Sequence, residues 1–145
     1  MIKKFKCLAI LLVGFMFFAV GQPVFAEQDG PKNVGVITPQ SYQHLYDASC
    51  YYTLNGTSIG VSGTTATYYT VSKITTTVYL EKWTSAGWSV VKSWTGTEYN
   101  NDYCNVTGSY TGIRGTTYRV RCFHRVDMGN LIETNTSYTG SFTVN

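Results

Sequence analysis

The sequence predicts an all-β domain, an antiparallel two-sheet sandwich of about seven strands carried behind an export leader. Three observations predict it. Apolar residues alternate with period 2 in short runs, as on half-buried strands. No stretch repeats them at the i, i+3, i+4, i+7 spacing of an amphipathic helix over a useful length. Thr, Tyr, Ser and Gly dominate, and the first two suit a pleated, half-buried surface. With 145 residues there is room for one domain. Charged residues make up 13% and aromatics 15%, which excludes a disordered chain, because so much apolar surface and so little charge favour collapse.

The elements follow in order. Lys3, Lys4 and Lys6 precede an apolar run from Cys7 to Val20, which Gly21-Gln22-Pro23 ends. Val24-Phe25-Ala26 places tolerated residues at −3 and −1, so residues 1–26 read as a secretory signal peptide cleaved between Ala26 and Glu27. The run is shorter than the ~20 residues a membrane span needs. Residues 27–45 hold Pro31 and Pro39 among Gln, Asn and Gly and read as a flexible leader, with the folded domain over 46–145. Cys50, Tyr52 and Leu54 alternate up to Asn55-Gly56, a strong hairpin-turn signal. Ile59, Val61, Gly63 and Thr65 return, and Ile74, Thr76, Val78 and Leu80 share one face of the next run. Trp83 and Trp88 enclose a second hairpin turn, after which Val91 falls out of phase, as a β-bulge or an edge strand would cause. The strand with the clearest two faces is 116–126, where Tyr118, Val120, Cys122 and His124 oppose Arg119, Arg121, Phe123 and Arg125. A closed barrel is the alternative architecture.

Three of the four cysteines survive cleavage, in an oxidising compartment that allows one disulfide with one thiol left over, or an intermolecular bridge. Spacing does not say which two pair. Cys122 lies in phase with Tyr118 and Val120 and reads as a small buried hydrophobe, which leaves Cys50–Cys104 as the expected bridge and Cys122 free.

A resemblance accompanies these features. Cys50 in the first strand, Val78-Tyr79-Leu80-Glu81-Lys82-Trp83, Gly87-Trp88-Ser89-Val90-Val91-Lys92-Ser93-Trp94 and Gly115-Thr116-Thr117-Tyr118-Arg119-Val120 together resemble the small secreted domains of unknown function of Gram-positive bacteria. The resemblance covers roughly 46–144 and implies an immunoglobulin-like sandwich. It carries no catalytic residues and no activity.

The functional expectation is an exported, non-catalytic interaction module, extracellular or associated with the cell wall. The sequence contains no metalloprotease, nucleophile-elbow, phosphate-loop or dinucleotide motif. A small secreted hydrolase would need His124 with Asp127, yet His124 falls in the inward phase and reads as a core histidine. No cofactor or metal site is expected: there is no C-x-x-C, and His44 and His124 lack ligand spacing. Eleven cations become eight once Lys3, Lys4 and Lys6 leave, and they balance eight acids, so neither nucleic acid nor an anionic membrane is an expected partner. A wall polymer, a glycan or another surface protein is, with the chain itself a monomer. The stripe Arg119, Arg121, Phe123 and Arg125 is one candidate surface, and its alternative role is pairing with Glu81 and Glu133 on neighbouring strands. Trp83, beside its turn, is the aromatic best placed for exposure, as a carbohydrate-binding module would require.

Overall fold

A computed structural model describes residues 42–145. The signal peptide, the cleavage point at Ala26 and Glu27, and most of the leader lie outside the described residues. Those described form an all-β, antiparallel, six-stranded sheet: β1 (Leu45–Asn55), β2 (Ser58–Thr84), β3 (Gly87–Thr111), β4 (Thr117–Met128), β5 (Leu131–Tyr138) and β6 (Phe142–Thr143). Ordered contacts begin ahead of residue 46. Tyr42 packs on the core, and the backbone N–H groups of Gln43, His44 and Leu45 donate to the Glu133 carboxylate.

The architecture grows from one long hairpin. β2 runs 27 residues and β3 runs 25, paired on both sides of one gap. On its other side β2 is shared: β1 pairs with its first half, from Ser58 to Thr67, and β4 with its second, from Lys73 to Lys82. The register slips between Ala66 and Val71, and just past this gap, next to the Val71 partner Asn101, Asn100 takes a positive φ of 49°. Asn tolerates that left-handed conformation better than most residues. Here the ribbon bends, and the two halves of one curled sheet come face to face.

The turns show local chemistry at work. Gly56 (φ 58°) and Thr57 form the two-residue connection between the paired Asn55 and Ser58, one position later than Asn55-Gly56 predicts. Positive φ at the first central residue, where Gly is favoured, is the pattern of a type II′ turn. At the second hairpin Thr84 pairs with Gly87, and its hydroxyl accepts from the Ala86 N–H and donates to the Gly87 carbonyl. Val91 is the extra residue of a bulge, since Leu80 pairs with Lys92 and Glu81 with Val90.

The core lies between the facing halves, and the alternation seen in sequence decides who enters it. Ile59, Val61 and Thr65 from the first half of β2 meet Ile74, Thr76, Val78 and Leu80 from the second, with Tyr118, Val120, Cys122 and Val126 from β4. Burying an aliphatic side chain of this size stabilises by roughly 1.5–3 kcal/mol.

The disulfide corrects the expected one. Cys50 bonds Cys122, with Cα atoms 5.8 Å apart, and Cys104 is the buried free thiol. Cys50 pairs with Gly63 and Cys104 with Thr65, so those two cysteines flank β2 within the same half of the sheet. Two inter-strand spacings make about 10 Å, beyond the ~7 Å that a disulfide spans. Cys122 approaches from the opposite half.

Candidate functional site

On the outward face of the second half, β4 alternation projects Arg119, Arg121, Phe123 and Arg125 together, as the sequence implies, but the stripe is paired. Arg119 Nε and Arg121 Nε each donate to a different oxygen of Glu81, both at 2.7 Å. Arg119 also lies 4.4 Å from the centre of the Trp88 ring, and Arg121 lies 4.1 Å from that of Tyr79. The Glu81 side chain is only 6% exposed while both arginine side chains are about a quarter exposed. Burial alone would raise the Glu81 carboxyl; the hydrogen bonds and charges of Arg121 and Arg119 outweigh it and hold the group below the ordinary carboxylate range.

Arg125 bonds Asp127 two residues along the same strand, and Phe123 sits between Thr77 and Thr136. Glu133, the other expected partner, faces inward. Burial favours its neutral form, but the N–H groups of Leu45, Gln43 and His44 bind its carboxylate and hold it low. It closes the seam between β5 and the start of β1 rather than meeting an arginine. Trp83 is 56% exposed and meets Trp88 edge-on at 5.2 Å, which places it at the tip next to the Arg119 cluster.

His124 has no exposed surface. Its Nδ1 lies 2.7 Å from the Thr65 hydroxyl, which contacts Thr76, and its Nε2 lies 2.8 Å from the Ser137 hydroxyl. Burial pushes its pKa down to about 4, so the ring is neutral at pH 7 with one donor and one acceptor nitrogen. Asp127 projects from the opposite face of β4 and binds Arg125. The Ser137–His124 contact pairs a hydroxyl with a base, but both side chains are sealed in the core.

Sequence reasoning missed the bend. Five exposed tyrosines occupy it: Tyr46 and Tyr68 in edge-on contact at 5.2 Å, Tyr69, and Tyr99 and Tyr103 on β3 either side of Asn100. Tyr69 is held by its hydroxyl, 2.5 Å from His44 Nδ1. The register gap between Ala66 and Val71 turns Tyr68 and Tyr69 out of the sheet. The signal was available in the adjacent pair Tyr68-Tyr69, which no strand alternation can bury on one side.

Comparison with protein families, with characterised proteins and with solved structures gives no match to this chain. Among the described residues no helix is long and apolar enough to cross a membrane.

Proposed function

We propose that this chain is an exported, non-catalytic binding module that acts outside the cell, with the tyrosine-covered bend as its contact surface. The observation that carries the reading is the exposure of Tyr46 (64%), Tyr68 (62%), Tyr69 (48%), Tyr99 (66%) and Tyr103 (49%) at one end of the fold. Tyrosine offers broad contact area at low entropy cost and a hydroxyl for polar partners, which suits adaptable recognition. Clustered exposed aromatics mark interaction sites more often than scattered ones do.

Export is supported by the Cys50–Cys122 bridge, since such bonds persist in oxidising compartments. The resemblance to small secreted Gram-positive domains fits the same reading, and so does an immunoglobulin-like sandwich. A disulfide joins facing halves, and the buried Tyr118 near the start of β4 accepts a hydrogen bond from the Ile113 N–H at 3.0 Å, in the manner of a tyrosine corner. It stands four residues before Cys122, whereas that fold places the tyrosine two before its cysteine.

The test is retention on the secreting cell's surface. The mature protein binds there, and a variant with Tyr46, Tyr68 and Tyr69 changed to Ser folds normally yet is recovered in the medium. Equal retention of both forms removes the bend from the account. A second reading, a carbohydrate-binding module, is favoured by the exposed Trp83 and by a small depression on the first half of the sheet.

A further inference from the structure

The depression lies on the outward face of β1, β2 and the end of β3. Three rows of paired residues cross it: Tyr51, Ser62 and Thr107; Tyr52, Val61 and Gly108; Thr53, Gly60 and Ser109. Its volume is about 250 Å³. Gly60 has no side chain, and the Thr53 hydroxyl occupies the place its β-carbon would take. The Tyr51 ring, 39% exposed, forms one wall. Around the floor stand the hydroxyls of Thr53, Ser62 and Thr107.

One of these hydroxyls is oriented. Asn105 Nδ2 donates to Ser62 Oγ at 3.2 Å and to Thr64 Oγ1 at 2.9 Å. Accepting that bond leaves the Ser62 hydroxyl its own proton to donate. No lining residue is charged, so a phosphate, a carboxylate or an amine finds no ion-pair partner there. The volume falls below the roughly 300–1,000 Å³ of sites for larger organic ligands. An aromatic wall, several neutral hydroxyls and room for one ring match the chemistry of a pyranose, which has apolar C–H faces and a rim of hydroxyls.

We propose that this depression is a subsite for a single ring of a neutral sugar, with Tyr51 against the ring face and Ser62, Thr53 and Thr107 bonding its hydroxyls. The proposal rests on the carbohydrate reading and is independent of the tyrosine bend, which begins five residues earlier on β1 at Tyr46. Thr107 lies on β3, which pairs only with β2 among the described residues, so a longer glycan has an open side to leave by.

The experiment is an NMR titration of the mature protein with cellotriose, maltotriose and tri-N-acetylchitotriose. At least one is expected to shift the amides of 51–53, 60–62 and 107–109 in a saturable way. Tyr51→Ala should weaken that binding about tenfold, on the scale of one lost aromatic contact. Gly60→Ala should weaken it by pushing the Thr53 hydroxyl out of place, while Ile132→Ala, on β5 and outside the lining, leaves it unchanged. Saturable shifts confined to Trp83 or the tyrosine bend overturn the subsite but keep the carbohydrate reading. The absence of saturable shifts with all three sugars overturns both.

Discussion

Gly63 leaves the space that the Cys122 sulfur fills: a β-carbon on Gly63 would lie 2.8 Å from that sulfur. Gly63 also faces Cys50 across β1 and β2, so the missing side chain lets the bridge pass between the halves. Gly63→Val should force the halves apart, at about 1–3 kcal/mol for overpacking alone. Thiol titration of the denatured, unreduced variant should find more than one free cysteine, and urea melts should show the lower midpoint.

Removing the bridge itself should cost more. It closes a span of 72 residues, and the chain-entropy relation assigns such a loop about 4 kcal/mol. Cys122→Ala should lose most of that in urea denaturation, whereas Cys104→Ala should cost about 1 kcal/mol, as a small buried hydrophobe does. Similar losses for the two variants would place the bond elsewhere.

Much of this fold was legible in the sequence because period-2 alternation maps directly onto burial. Ile74, Thr76, Val78 and Leu80 are all fully buried, and so are Tyr118, Val120 and Cys122. The slip at Val91 marked a real bulge. The bend was not legible, since a 27-residue strand that changes partners midway reads as two separate strands. The cysteine pairing was hidden for the same reason: phase shows that Cys50, Cys104 and Cys122 all point inward, but not which half of the sheet each one occupies. Likewise Glu133 looked like an arginine partner until its inward phase set it against the backbone of Gln43, His44 and Leu45.

Acid should weaken the fold through His124 first. Its pKa is about 4 folded against 6.5 as the ordinary value, so the unfolded chain takes up the proton first. That contribution is whole above pH 6.5 and is lost as the pH falls from 6.5 towards 4, by about 3 kcal/mol in all. Glu81 and Glu133 add a loss in the same direction below about 4.5, as the pH falls through their lowered folded values. Urea melts at pH 7, 5 and 4 should show the decline. His124→Leu should flatten it between 6.5 and 4, while costing about 1–3 kcal/mol at pH 7 by stranding the Ser137 hydroxyl and leaving Thr65 only Thr76 as a partner.

The two faces of β4 predict opposite tolerance. Val120→Asp places an unpaired charge where no solvent reaches and should unfold the domain. Arg121→Ser removes one of two partners of Glu81 and should cost about 1 kcal/mol, because Arg119 remains. Circular dichroism and thermal melts of both variants check the assignment. A folded Val120→Asp protein with an unfolded Arg121→Ser would invert it.

The claim that this is an exported domain clamped between its halves is tested most directly by mass spectrometry of the protein recovered from the culture medium. A non-reducing peptide map should begin at Glu27, link the Cys50 and Cys122 peptides, and find Cys104 alkylated only after denaturation. Protein that keeps Met1 and carries Cys50, Cys104 and Cys122 as free thiols would contradict both the export and the clamp.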